Sequence, residues 1–172
     1  INPASMTKVM TLLVASENVD DISATFKMTS EIIDPLYKDG ASLAGFGPGE
    51  TVTVKDMFYG AILESGAEAT VGLAVYISGS EKEFVKLMNK KAAELGLEDT
   101  HFTNPNGLYD EEHYTTAREL AIITAEALNS EELREIFATK SATIPLGAKK
   151  DSDEREGKRY LRNHNKMLSL YE

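Results

Sequence analysis

Residues 1–18, INPASMTKVMTLLVASEN, contain the pattern that decides the fold. Pro3 precedes a stretch without Gly or Pro, so a helix is predicted to begin near residues 3–5. Apolar residues at 9–15 lie on nearly all sides of that helix, which predicts that it is buried. Ser5 and Lys8 stand three positions apart and therefore share one face of its first turn.

A serine hydroxyl and a lysine amine at this spacing can act as a nucleophile and its general base. The amine must be neutral to take the Ser5 proton, and burial among apolar neighbours favours that form. The positive end of the helix would also stabilise negative charge on an attacked carbonyl. A chain of this length contains roughly one Ser-x-x-Lys by chance, so the spacing alone favours an ordinary polar helix start over a catalytic pair.

Length and composition narrow the class of protein. A chain of 172 residues with 42% hydrophobic residues can form one domain with a core. The net charge of −10 argues against nucleic acid as a partner, and the lack of cysteine excludes disulfides and thiolate zinc sites. The longest apolar run, near residues 9–15, is shorter than the roughly 20 residues that span a bilayer. Without an initial Met or leader, the chain is interpreted as an excised segment.

Helices account for most of the predicted structure. An apolar run at residues 69–77 predicts one buried helix. Four more helices are predicted from a capping residue followed by an acidic residue three positions later, namely Thr53 with Asp56, Ser80 with Glu83, Thr116 with Glu119, and Asn129 with Glu132. These four are expected to end near Gly66, Gly96, Leu128 and Phe137, respectively.

The remaining segments are predicted to be strands or loops. Residues 26–29 are β-like, residues 38–50 (KDGASLAGFGPGE) form turns, and residues 141–144 are a candidate strand. The charged segment 147–159 (GAKKDSDEREGKR) is predicted to be an exposed hairpin or a mobile loop. No repeat or linker divides the chain, so residues 1–172 are expected to form one domain.

Four segments together resemble a known family. PASMTKVMT (3–11), SGAEA (65–69), THFTNPNGLYDEEHYTTARELA (100–121) and NHNKML (163–168) resemble, in order and spacing, the D-alanyl-D-alanine carboxypeptidases among the low-molecular-mass penicillin-binding proteins. The resemblance implies a mainly α chain that forms the helical lobe of the α+β serine β-lactamase/DD-peptidase-like fold. Most of the antiparallel sheet would lie outside the sequence. Residues 1–172 would then be a single partial domain, truncated at both ends.

The resemblance also implies roles for particular residues. Ser5 corresponds to the acylated nucleophile, Lys8 to the general base, and Ser65 to the proton-shuttling Ser of a Ser-x-Asn motif. Ala67 occupies the position of the substrate-binding Asn, whose side chain is lost, and Glu68 is one candidate to replace it. The family's Lys-Thr-Gly motif is absent from the 172 residues. The chain alone is therefore expected to be poorly active or inactive.

The implied function is hydrolysis of peptidoglycan stem peptides that end in D-Ala-D-Ala, through an acyl-enzyme that β-lactam antibiotics also form. The implied location is the extracytoplasmic bacterial cell envelope, with membrane attachment only through segments not present here. No cofactor or nucleic acid is expected. Two alternatives remain: a non-catalytic module that binds peptidoglycan or a partner, and a β-lactamase.

For the other polar residues, the sequence favours structural roles over catalytic or ligand-binding ones. His101, His113 and His164 are too scattered to predict a zinc site, so no metal is expected. Asn104-Pro105-Asn106-Gly107-Leu108 is typical of a tight turn that shapes the helical lobe. The acidic residues 110–112 are predicted to form a solvated surface.

Overall fold

The structure is a computed structural model and describes residues 1–147 and 157–170. The elements of the described residues, in chain order, are a 3₁₀ turn Ala4–Met6, α1 Thr7–Asn18, β1 Thr25–Lys27, α2 Ser30–Lys38, β2 Thr51–Thr53, α3 Val54–Leu63, α4 Ala67–Ser78, α5 Glu81–Glu94, α6 Ala117–Ala127, α7 Glu131–Ala138, β3 Ser141–Pro145, β4 Lys158–Arg162 and α8 Met167–Leu170.

These elements belong to two compact units. The first unit comprises Ile1–Val19 and Leu73–Glu135, and the second comprises Asp20–Gly72 and Ile136–Glu172. The single domain expected from the sequence stays a prediction.

The first unit is built around α1, which packs against α5 and α6. Residues of α1 on every side are buried, including Met10 and Leu12 at 0% exposure, so the predicted buried helix is confirmed. Phe84 and Met88 of α5 and Ile123 of α6 are also buried in this unit. The start near residues 3–5 is confirmed too, with the 3₁₀ turn leading into the α-helix.

Capping residues set most helix ends as predicted. The side chains of Ser80 and Thr116 accept hydrogen bonds from the main-chain N–H groups of Glu83 and Glu119, and Gly96 follows α5 with a φ of +69°. For α7 the predicted cap Asn129 is wrong. The Ser130 hydroxyl accepts from the N–H of Leu133 instead, since Ser130 directly precedes the first residue of the helix.

The second unit contains two antiparallel strand pairs and α3. β1 pairs with β2 in the register Phe26↔Val52, and β3 pairs with β4 in the register Thr143↔Tyr160. The helix α3 begins with the predicted capping box of Thr53 and Asp56, and it contacts β2, β3 and β4. The predicted turn after Gly47 and the strand at 141–144 are confirmed.

The helix α2 in this unit is not anticipated, since the sequence predicts β-like residues at 26–29 and turns at 38–50 with no helix between them. Pro35 lies inside it and argues against a helix in the sequence. The carbonyl that loses its i+4 donor at Pro35 belongs to Glu31, which is in the first turn and exposed. Burial of Ile32, Ile33 and Leu36 on one face stabilises the helix in spite of Pro35.

A buried ion pair joins β4 to the turn before β2. Arg159 donates to both carboxylate oxygens of Glu50, at 2.9 and 3.0 Å, and Glu50 is only 4% exposed. Gly147 N–H also donates to Glu50. The hairpin or mobile loop predicted for residues 147–159 lies, at 148–156, outside the described residues. None of the helices formed by residues 1–147 and 157–170 has the length and apolar character needed to cross a membrane.

Candidate active site

Ser5 and Lys8 face each other at the start of α1. Lys8 Nζ lies 3.3 Å from Ser5 Oγ, within hydrogen-bonding distance. Ser5 is exposed, because the 3₁₀ turn places it ahead of the buried part of the helix, whereas Lys8 is 3% exposed. A buried amine beside an exposed hydroxyl is the arrangement that a nucleophile and its base require.

The Asn104–Leu108 turn holds the Lys8 amine. Lys8 Nζ donates to the Asn106 carbonyl at 2.6 Å, and the Thr11 hydroxyl donates to the Pro105 carbonyl at 2.7 Å. The turn is closed by its own side chains, since Asn104 Oδ1 accepts from Gly107 N–H at 2.7 Å. The turn is therefore structural, as expected, but it also positions Lys8, which the sequence did not indicate.

Gly107 brings this turn into close contact with the residue before Ser5. Its φ is +86°, and a Cβ added there would lie 2.0 Å from the Ala4 carbonyl oxygen. Ala4 itself has a φ of +47°, a left-handed conformation that costs a non-glycine residue roughly 1–3 kcal/mol. The main chain that presents Ser5 is thus strained and closely packed.

Ser65, the third predicted catalytic residue, lies in the second unit between α3 and α4. Its φ is +56°, so it is also left-handed. Gly66 N–H donates to the Gly60 carbonyl, Ala67 N–H donates to the Ser42 carbonyl, and a Cβ at Gly66 would come within 2.8 Å of Ala44 Cβ. These contacts fix the Ser65 main chain within its own unit. The catalytic role that the resemblance implies for Ser65 stays a prediction.

Ala67 and Glu68 follow Ser65 and are both buried, with exposures of 2% and 0%. Glu68 Oε1 accepts from the N–H groups of Gly45 and Phe46 at 2.8 and 3.1 Å, and Oε2 has no hydrogen-bond partner among the described residues. The carboxylate therefore ties α4 to the 44–46 segment. Because it is buried and turned toward that segment, Glu68 is not available to replace the missing Asn side chain.

Replacing Glu68 with glutamine is expected to change how stability depends on pH. Burial raises the pKa of Glu68 above its ordinary value, despite the opposing N–H donors. The folded state thus holds the proton more tightly, and stability falls as pH rises from the ordinary value to the raised one. Gln does not titrate, so its melting temperature relative to the parent should rise as the pH increases from the ordinary pKa of a glutamate through the raised pKa of Glu68.

The control for this experiment is Glu111→Gln, which changes an exposed carboxylate in the same way. Its melting temperature relative to the parent should stay nearly constant over the same pH range. Equal pH dependence in the Glu68 variant and the parent would contradict the assignment of Glu68 as a buried acid.

The three histidines contact other groups within the part of the chain that the structure describes. Among residues 1–147 and 157–170, no three His, Asp or Glu side chains are grouped as metal ligands. His101 packs against Tyr114, with ring centroids 5.9 Å apart, and His164 Nε2 lies 3.2 Å from a Glu64 carboxylate oxygen. His113 is buried near Thr7 and belongs to a separate hydrogen-bond system.

Comparison with known proteins identifies relatives along the whole chain. The chain is similar to the D-alanyl-D-alanine carboxypeptidase DacF of Bacillus subtilis, with 40% identity over 173 residues, which cover 98% of this chain and 42% of the relative. It is 34% identical over 153 residues to DacD of Escherichia coli, covering 83% of this chain and 38% of that protein. The chain thus spans about two fifths of the length of these curated relatives.

The fold is also found in solved structures. The crystal structure of the Streptomyces K15 DD-transpeptidase matches with a TM-score of 0.87 and 29% identity, covering 98% of this chain and 66% of that one. The predicted mainly α lobe of the DD-peptidase fold is therefore confirmed. The family model for D-alanyl-D-alanine carboxypeptidases of the S11 peptidases matches residues 1–170. This chain belongs to the D-alanyl-D-alanine carboxypeptidase family.

Proposed function

We propose that this protein is a serine-type D-Ala-D-Ala carboxypeptidase that trims peptidoglycan stem peptides through an acyl-enzyme on Ser5. The observation that carries the proposal is the 3.3 Å separation between the exposed Ser5 Oγ and the buried Lys8 Nζ. The names of the relatives DacF and DacD support D-Ala-D-Ala as the substrate class.

The proposed reaction has two steps. Ser5 Oγ attacks the carbonyl of the penultimate D-Ala as its proton passes to the neutral Lys8 amine. The peptide bond breaks, and that proton goes to the amine of the departing D-Ala. Water then attacks the Ser5 ester, giving the shortened peptide with a free carboxylate and restoring the Ser5 hydroxyl. Ser65 is assigned the relay of protons to and from Lys8.

The main-chain geometry supports Ser5 and Ser65 as the reactive serines. Within the described residues, the non-glycine residues with positive φ are Ala4, directly before Ser5, and Ser65 itself. Left-handed residues of this kind concentrate at active sites, where surrounding contacts maintain the strain. Two strained positions in 161 described residues thus coincide with the two serine segments that resemble the family's motifs.

The same chemistry implies how the protein reacts with β-lactams and where it acts. A penicillin presents a strained amide to Ser5. Attack by Ser5 opens that ring, but the amine that would otherwise depart stays covalently attached to the acyl group. The adduct therefore persists. Peptidoglycan stem peptides lie outside the cytoplasm, which places the proposed activity in the extracytoplasmic bacterial cell envelope. The net charge of −10 argues against a nucleic-acid partner.

Labelling with a fluorescent penicillin tests this proposal. The test uses a full-length version of the protein, since this chain alone is expected to be poorly active or inactive. The full-length parent should acquire a covalent label that survives denaturation, and Ser5→Ala should acquire none. Ser16→Ala, which removes a hydroxyl further along α1, should label like the parent. Label on the Ser5→Ala protein, or no label on a folded parent, would contradict the proposal.

A non-catalytic peptidoglycan-binding module is the second candidate, because Ala67 lacks the amide of the family's Asn. Such a module would bind the peptide without releasing D-Ala. A β-lactamase, the remaining alternative, would release the penicillin label quickly, whereas a carboxypeptidase would retain it for longer.

Restoring the amide with Ala67→Asn is expected to raise kcat/KM for a D-Ala-D-Ala peptide by about 5–10-fold, the effect of one neutral hydrogen bond. Release of D-Ala measures this rate. Ala67 is buried, so the larger side chain should also lower the melting temperature. Ala69→Asn, two positions along α4 and equally buried, is the control and should lower stability without raising the rate. An unchanged or lower kcat/KM in folded Ala67→Asn would contradict the assigned role of position 67.

A further inference from the structure

His113 lies in the loop between α5 and α6 and is only 1% exposed. Its Nε2 lies 2.8 Å from Thr7 Oγ1, and the main-chain N–H of Thr103 donates to Nδ1 at 3.0 Å. The ring also contacts Phe102 edge to face, with centroids 5.6 Å apart. The imidazole is therefore held on three sides, although no step of the proposed reaction uses it.

These contacts determine where the imidazole carries its proton. A main-chain N–H can only donate, so Nδ1 must be the unprotonated nitrogen that accepts from Thr103. The proton is then on Nε2, which donates to Thr7 Oγ1. A doubly protonated ring could not accept the Thr103 hydrogen bond, so the arrangement requires neutral His113.

His113 joins the two pieces of main chain that set the Ser5–Lys8 geometry. Thr7 lies between Ser5 and Lys8 at the first residue of α1. Thr103 directly precedes the Asn104–Leu108 turn, whose Asn106 carbonyl accepts from Lys8 Nζ at 2.6 Å. A shift of the turn relative to α1 would therefore move the acceptor of the Lys8 amine.

We infer that His113 is a positioning residue for the Ser5–Lys8 pair, acting as a neutral bridge between Thr7 of α1 and Thr103 at the start of the turn. The inference rests on the proposed function, because it gives His113 a part in acylation. In this role His113 acts through the distance between the two segments.

The surroundings of the ring favour the neutral form. Burial holds the pKa of His113 below its ordinary value, Asp110 opposes that shift, and His101 adds to it. On α1 the nearest charged residue in sequence is Lys8, which follows Thr7. At neutral pH the bridge is thus intact.

Acylation rates of matched variants test the inference. His113→Phe keeps a planar ring but offers no donor or acceptor, and it should slow benzylpenicillin acylation by about tenfold. His113→Gln, whose amide oxygen and nitrogen can take the two roles, should stay within about threefold of the parent. Thr7→Val should be slow as well, and combining it with His113→Phe should add little further loss.

Nuclear magnetic resonance supplies a readout that needs no reaction. In the ¹⁵N-labelled parent, the His113 proton should be found on Nε2, and the Lys8 Nζ signal should shift in His113→Phe but return toward the parent position in His113→Gln. A reduced melting temperature alone would not produce this pattern of loss and rescue. Thr7→Val, a nearly isosteric change, provides the same test if His113→Phe does not fold.

The outcomes distinguish a failure of the proposed function from a failure of the positioning role of His113. A parent that takes no penicillin label would contradict the proposed function, and the Lys8 signal would still decide whether His113 positions the amine. Parent-like acylation together with an unchanged Lys8 signal in His113→Phe, or a proton found on Nδ1 of the parent, would overturn the inference.

Discussion

Replacing Lys8 with methionine is expected to slow acylation of Ser5 by benzylpenicillin by about 10²–10⁴-fold, the contribution of a positioned general base. Methionine keeps an unbranched side chain of similar length, but it has no atom that can take the Ser5 proton. The amine that it replaces lies 3.3 Å from Ser5 Oγ, and Lys8 as a residue is only 3% exposed, so solvent offers no equivalent base at that position. Time-resolved mass spectrometry of the intact protein measures the rate.

Two controls accompany the Lys8 variant. Lys86→Met makes the same change at an exposed lysine that pairs with Glu83, and it should acylate at the parent rate. Loss of the Lys8 amine also leaves the Asn106 carbonyl without its donor, at a cost of about 1–3 kcal/mol, so thermal unfolding must show that the variant is folded at the assay temperature. A folded Lys8→Met protein that acylates at the parent rate would exclude Lys8 as the base.

Replacing Gly107 with alanine is expected to lower the free energy of unfolding by about 2–5 kcal/mol, from left-handed strain and overpacking together. The new Cβ would lie 2.0 Å from the Ala4 carbonyl oxygen, which is main chain and cannot rotate away. The Asn104–Leu108 turn and the segment before Ser5 must therefore separate. Urea unfolding monitored by circular dichroism measures the loss.

Gly79→Ala is the matched control for this steric effect. Gly79 has a similar φ of +79°, but a Cβ there would meet nothing within 4 Å. It should cost only the left-handed penalty of roughly 1–2 kcal/mol. A Gly107 variant no less stable than the Gly79 variant would show that the close contact with Ala4 does not stabilise this unit.

Local signals account for most of the fold that the sequence predicts. A helix cap and the apolar spacing after it act within a few residues, so α3, α5 and α6 begin and end near their predicted positions. The helix α2 escapes prediction because Pro35 gives a strong local signal against a helix, whereas burial of its apolar face depends on distant residues. At α7 two adjacent residues are good caps, and the chain uses Ser130 instead of Asn129.

The candidate site also combines residues that local sequence patterns predict with contacts that they do not predict. Ser5 and Lys8 are predictable because a spacing of three residues on a helix brings side chains together. The Asn106 carbonyl is not predictable from side-chain patterns, since Lys8 binds main chain that is 98 positions away. The role of Glu68 is hidden for a related reason, because its partners are the N–H groups of Gly45 and Phe46.

Tandem mass spectrometry of the penicillin-treated protein tests the central claim, that Ser5 is the nucleophile, most directly. Trypsin cleavage after Lys8 leaves Ser5 and Thr7 on the same peptide. Fragmentation of that peptide then shows which of the two residues carries the adduct. The proposed mechanism predicts a penicilloyl group on Ser5. An adduct on Thr7, on Ser65 or elsewhere, with Ser5 unmodified, would contradict it.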